Sequence, residues 1–124
     1  MFAIDTSSLV AYLAGEKGRD VEAIEIALRD GTAILPPTVI SEILSDPKLP
    51  IKIEKIIINI PTVEIKNGFW IRVAKVRKKI LQKKRRARLA DSLIAQTCID
   101  YGFVLISRDS DFKAFAQYTE LKLY

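Results

Sequence analysis

Apolar residues fall into short unbroken runs that alternate with longer segments where they recur every three or four positions. The first run, Phe2-Ala3-Ile4, meets Asp5 and the hydroxyl cluster Thr6-Ser7-Ser8, the pattern of a buried strand ending at a helix start. Ser8 to Ala14 predicts a short helix, with Asp5, Thr6 or Ser7 available as its cap and Gly15 as its end. Val21, Ile24, Ile26, Ala27 and Leu28 predict an amphipathic helix between Glu16 and Leu28, stopped by Asp30-Gly31. Thr32 to Leu35 reads as a second buried strand. Pro36-Pro37 closes it, because proline cannot donate to a sheet ladder but suits a helix start. The helix that follows, Thr38 to Ser45, carries Val39, Ile40, Ile43 and Leu44 on its apolar side and Glu42 at the edge of that side.

The isoleucines from Ile51 to Ile60 suit either period. A helix is expected there, because Pro61 and a clearer strand, Thr62 to Ile65, come next. Asn67 to Gln82 is the most regular helix: Phe69, Val73, Val76 and Ile80 form a stripe with Trp70, Ala74 and Leu81 beside it. That stripe assigns Phe69 and Trp70 to the core rather than to stacking on bases. Beyond the basic link Lys83 to Arg88, a helix from Leu89 to Tyr101 ends at Gly102 as a left-handed cap. A strand from Phe103 to Ile106, a turn and short helix from Ser107 to Phe115 and a last strand near Leu121 to Tyr124 complete the chain. Strands alternating with helices imply an α/β fold: one domain, 1–124, with a mostly parallel sheet of about five strands and helices on both faces. In such sheets ligands bind beyond the carboxyl ends of the strands, at the switch point in strand order. Asp5 and Asp109 each follow such an end.

Composition narrows the chemistry. A chain of 124 residues, 49% hydrophobic, suffices for a core without staples. One cysteine, Cys98, excludes an internal disulfide and a thiolate metal cage. Histidine is absent, which removes Ser-His-Asp and Cys-His nucleophiles and His-ligated zinc. Carboxylates, hydroxyls, lysines and arginines are left to do any catalysis. No apolar run approaches the roughly 20 residues of a membrane span, and no basic segment precedes an apolar one at the N-terminus, so the expectation is a soluble, cytoplasmic protein. A net charge of +5 favours a polyanionic partner.

Taken singly, each acid has a simple structural explanation. Asp5 caps a helix, Glu42 is a solvated charge, Asp91 offsets the dipole in a first helical turn, and Asp109 and Asp111 serve a turn. Their joint placement says more. Asp91 shares a helical line with Ile94, Ala95 and Cys98, at the N-terminal end of a buried face, while Asp5 and Asp109 sit where buried strands exit. Carboxylates gathered there repel by roughly 4 kcal/mol per close pair at an effective dielectric of about 20, and either protonate or recruit a cation. An all-oxygen donor set suits Mg²⁺ or Mn²⁺.

Four stretches carry a family resemblance: Ile4-Asp5-Thr6-Ser7; Leu35-Pro36-Pro37 through Ser41-Glu42-Ile43-Leu44; Leu89-Ala90-Asp91-Ser92-Leu93-Ile94-Ala95; and Leu105-Ile106-Ser107-Arg108-Asp109-Ser110-Asp111-Phe112. In this order and over nearly the whole length, the sequence resembles PIN-domain ribonucleases and, by its size, the VapC-type toxins of prokaryotic toxin-antitoxin pairs. The resemblance implies an Mg²⁺-dependent endoribonuclease in which Asp5, Glu42, Asp91 and Asp109 bind metal, with Asp111 as a helper. Glu42 would either bind metal or position water. Thr6, Ser7 and Ser107 would orient the carboxylates; the family usually has Thr where Ser107 stands, and the hydroxyl is kept. A homodimer and an antitoxin docked across the active-site groove are also implied. Between Glu42 and Asp91 the match is poor, and substrate preference does not carry over.

From Lys66 to Arg88 the chain has eleven basic residues and no acid: Lys66, Arg72, Lys75, Arg77, Lys78, Lys79, Lys83, Lys84, Arg85, Arg86 and Arg88. Such a run can be a solvated face. Placed immediately before Asp91, the part from Lys83 to Arg88 is the expected contact for an RNA backbone, positioning the strand without reading its bases. A PIN nuclease of RNA processing or decay acting without an antitoxin, and a non-catalytic basic RNA-binding domain whose acids are caps, are the alternatives.

Overall fold

The computed structural model describes all residues, 1–124. Four strands form one sheet in the order β2-β1-β3-β4: β1 (Phe2–Ile4), β2 (Ala33–Ile34), β3 (Val104–Ile106) and β4 (Lys122–Leu123). Every pairing is parallel, with Phe2 opposite Ala33 on one side and Val104 on the other. Ala3, Ile4, Leu105 and Ile106 are all fully buried, so consecutive residues on opposite faces both meet protein, as a parallel sheet requires. Seven helices supply that cover: α1 (Thr6–Leu13), α2 (Arg19–Arg29), α3 (Pro37–Leu44), α4 (Ile51–Asn59), α5 (Phe69–Gln82), α6 (Leu89–Tyr101) and α7 (Phe112–Tyr118).

The sheet has four strands rather than about five, because Thr62 to Ile65 forms no ladder. Its entry is tied to β2's exit, where the Leu35 N–H donates to the Pro61 carbonyl at 2.9 Å and the Thr62 hydroxyl donates to the Leu35 carbonyl at 2.7 Å. Pairing stops there, and Val63 alone of the stretch packs on the core. The ambiguous isoleucines do form a helix. Ile53, Ile57 and Ile60 turn inward at helical spacing, leaving Ile51, Ile56 and Ile58 exposed. On α5 the inner line is Phe69, Val73 and Ile80, whereas Trp70 is 67% exposed. Trp70 is therefore a surface residue that meets Phe69 edge-on at 5.3 Å, against the expectation of a core position.

Helix α6 is the buried spine of the domain. Asp91, Ser92, Ile94, Ala95, Gln96, Thr97 and Cys98 are all buried. Its polar members are largely satisfied locally: Ser92 and Thr97 hydroxyls donate to the carbonyls one turn back, and the Gln96 amide donates to Asp100. Asp100 in turn accepts from Arg72 of α5, which locks the two helices together. Gly102, at φ +70°, reverses the chain into β3 in a conformation that glycine adopts without strain. Beginning α6 beside β3's exit is what places Asp91 at the sheet's carboxyl edge.

Candidate metal centre

The strand order switches between β1 and β3, which send their connections to opposite sides, so a crevice opens where their carboxyl ends diverge. The Asp5 N–H donates to the Ile106 carbonyl at 3.0 Å, fixing the two exits against each other. Asp5 caps α1 and is 4% exposed. Its Oδ2 accepts from the Ser7 hydroxyl at 2.6 Å, the Ser107 hydroxyl at 2.8 Å and, more weakly, the Ser7 N–H at 3.4 Å. All these bonds fall on one oxygen, so Oδ1 is unused by the protein. Ser107 Oγ also accepts from the Asp109 N–H at 3.0 Å, and Asp109 Oδ1 accepts from the Asp111 N–H at 2.9 Å. Three acids of the loop after β3 and the exit of β1 thus belong to one hydrogen-bonded assembly.

Asp91, Asp109 and Asp111 each direct a carboxylate oxygen into a cluster whose atoms lie within 4.8 Å of one another. Asp91 is 9% exposed and its Oδ2 has no hydrogen-bond partner. Burial, then the charges of Asp109 and Asp5, push its carboxyl up to about 6. A buried carboxylate with a donorless oxygen, clustered with two further carboxylates, leaves a large desolvation penalty that a hard cation relieves. The residues present therefore fit a divalent metal held by oxygen.

Glu42 stands differently from the other acids. It is exposed, and its Oε1 accepts from the Thr6 hydroxyl at 2.7 Å. Thr6 holds Glu42 next to Asp5's helix start, and neither Glu42 nor Asp5 belongs to the three-carboxylate cluster. Asp111, expected from its motif as a helper in metal binding, lies inside that cluster. Cys98, behind Asp91 on α6, is buried, and burial followed by Asp5's charge pushes its thiol up to about 12; it stays a neutral packing group.

The basic link borders this cluster. Lys83, Lys84, Arg85, Arg86 and Arg88 are exposed, while Ala87 between them is buried and its carbonyl accepts from Arg77 Nε at 2.8 Å. Ala87 anchors the link and turns its charges outward. Arg85, Arg86 and Lys113 line a cleft of about 230 Å³ whose wall includes Asp111, and Arg86 Nη1 lies 3.8 Å from Asp111 Oδ2.

The PIN domain family model matches residues 2–118. The chain belongs to the PIN domain family. Among solved structures, this PIN domain superposes on VapBC2 from Rickettsia felis bound to a promoter DNA fragment, with TM-score 0.77 and 16% identity over 99% of this chain and 96% of that one. FitAcB from Neisseria gonorrhoeae gives 0.72 and 17% over 100% and 96%, and VapBC-1 from nontypeable Haemophilus influenzae gives 0.74 and 15% over 99% and 96%. At these identities the likeness is one of fold. No curated protein sequence matches the chain, and no helix is long and apolar enough to cross a membrane.

Proposed function

We propose that this PIN domain is a divalent-metal-dependent endoribonuclease, the toxin of a toxin-antitoxin pair. The observation that carries the reading is the buried Asp91 carboxylate, with one oxygen lacking a donor, clustered with Asp109 and Asp111 at the switch point of a parallel sheet. Asp91, Asp109 and Asp111, with Asp5 beside them, hold Mg²⁺ or Mn²⁺, and Glu42 positions water at the open edge. A bound divalent ion supplies an acidified water and neutralises charge building on a phosphodiester. The chain's own residues do the rest. Ser7 and Ser107 fix Asp5, Thr6 orients Glu42, and Lys83, Lys84, Arg85, Arg86 and Arg88 hold the RNA backbone beside the acids. Likeness to VapBC and FitAcB folds over nearly the whole chain supports an antitoxin partner; a homodimer in a cytoplasmic setting is part of the same proposal.

Incubating purified protein with a structured RNA, in Mg²⁺ or in EDTA, tests the reading. Cleavage is expected only with metal, and is expected to disappear in Asp5→Asn and Asp91→Asn. Cleavage that persists in EDTA, or in both variants, overturns the metal site. RNA binding without cleavage in Mg²⁺ or Mn²⁺ assigns the chain to the non-catalytic class instead.

A further inference from the structure

The loop after β3 alternates sides as an extended segment does. Ser107 and Asp109 turn toward Asp5 and the acid cluster, and Arg108 between them turns the other way, onto the start of α2. There its Nε donates to Asp20 Oδ2 at 2.8 Å and its Nη2 to Asp20 Oδ1 at 3.1 Å, a two-toothed pair. Longer bonds run to Glu16 Oε1 and to the Lys17 carbonyl, both at 3.4 Å. Asp20 is itself held from inside the protein, because the fully buried Ser8 hydroxyl donates to its Oδ2 at 2.8 Å. Ser8 lies on α1, the helix that Asp5 caps. The loop bearing Ser107 and Asp109 is thus fastened twice to the Asp5 segment: directly through Ser107, and around the back through Arg108, Asp20 and Ser8.

Gly18 is shaped for this clasp. Its φ is +153°, and a Cβ there would stand 2.5 Å from Asp20 Oδ1 and 3.1 Å from Arg108 Nη2. The backbone comes this close to the ion pair only because the residue has no side chain.

The geometry points to Arg108 as a positioning residue of the metal centre, acting through the backbone it shares with Ser107 and Asp109, with Asp20 and Gly18 as its seat. The inference rests on the metal-site reading above and adds a residue that contacts neither metal nor RNA. Carboxylates that gather around a cation bind it well only if their spacing is held before it arrives, and partners that orient ligands typically change metal affinity by roughly 10- to 100-fold. A guanidinium fork seated on a carboxylate holds direction as well as distance.

Mn²⁺ binding to the full chain, followed by the loss of the free-ion signal in electron paramagnetic resonance, is the test, applied to wild type, Arg108→Gln, Arg108→Lys, Asp20→Asn and Gly18→Ala. Circular dichroism checks folding in each. Arg108→Gln and Asp20→Asn are expected to weaken Mn²⁺ binding by roughly 10-fold or more. Arg108→Lys should recover part of that loss, and a variant combining Arg108→Gln with Asp20→Asn should do no more harm than either single one. Gly18→Ala keeps both charges yet spreads the pair, and is expected to weaken Mn²⁺ binding as well. Folded variants with wild-type Mn²⁺ affinity overturn the positioning role, as does a failure of all three of Arg108→Gln, Asp20→Asn and Gly18→Ala to fold, which would make the clasp purely structural. Wild type that binds no Mn²⁺, or binds it as well in Asp91→Asn, overturns the metal-site reading itself, and the positioning role with it.

Discussion

Replacing Asp91 with asparagine is expected to stabilise the metal-free protein while abolishing its response to metal. Its carboxyl is raised from an ordinary 3.8 to about 6, first by burial and then by Asp109 and Asp5. At roughly 1.4 kcal/mol per pH unit, that difference corresponds to about 3 kcal/mol by which ionised Asp91 weakens the metal-free fold. The sign follows from proton binding. With its folded pKa above its unfolded one, Asp91 binds more protons in the folded state between about pH 4 and 6, so stability falls as pH rises through that window. At pH 7.5 the whole penalty is present. Asparagine keeps the shape, carries no charge and offers an amide donor to Asp109 and Asp111, so about 2 kcal/mol should be regained. For a domain of this size that raises Tm by about 8 °C. Thermal melts by circular dichroism in EDTA at pH 7.5 should show this rise, and at pH 4 the two proteins should nearly converge. Mg²⁺ at about 100 times its Kd should add about 2.7 kcal/mol to wild type and little to the variant. An asparagine variant equal to or less stable than wild type in EDTA at pH 7.5 refutes the reasoning that Asp91 is a strained, cation-seeking charge.

Three further outcomes are expected. Replacing Arg85 and Arg86 together with alanine should weaken single-stranded RNA binding, and if about five phosphates are contacted, the slope of log affinity against log salt should fall from about −3.5 to about −2; filter binding across a salt series measures it. Asp20 is held at about 2, mainly by its hydrogen bond from Arg108, so its contribution is present above about pH 4 and lost as pH falls through about 2. Allowing for solvent screening, that is about 1 to 2 kcal/mol, and urea unfolding of Asp20→Asn should trail wild type at pH 6 and match it below pH 2. Ile80→Ala, at a fully buried position, should lose about 2 to 5 kcal/mol in urea unfolding, whereas Trp70→Ala should change stability by less than about 1 kcal/mol.

Strand ends and helix starts were legible because they depend on local signals. Ile4-Asp5, Leu35-Pro36-Pro37, Ile106-Ser107 and the helix ended by Gly102 each combine an apolar run with a stop. What was not legible depends on partners distant in sequence. Thr62 to Ile65 alternates like a strand, but only its first residues find Leu35, and one inward residue, Val63, satisfies the alternation without a ladder. Trp70 shares helical spacing with Ala74 and Leu81, one position round from the Phe69–Val73–Ile80 line, and spacing alone does not say where the buried stripe stops. Asp111, expected from its motif as a helper in metal binding, is the exception: it joins the acid cluster, through the turn that its N–H makes with Asp109. Arg108 and Asp20 lie 88 positions apart, and neither carries a local mark of the other.

The pairing of β1 with β3 also orders events in time. Asp5 is made about a hundred residues before its backbone partner, Ile106, and 102 positions before its hydroxyl partner, Ser107. Long-range parallel pairing is intrinsically slow and needs both segments present. Until then Asp5 has neither β3 nor the Asp109 loop beside it, so a shorter nascent chain carries Asp5, Glu42 and Asp91 without the centre. Any activity of the acid centre therefore waits until the segment from Ser107 to Asp111 has been made.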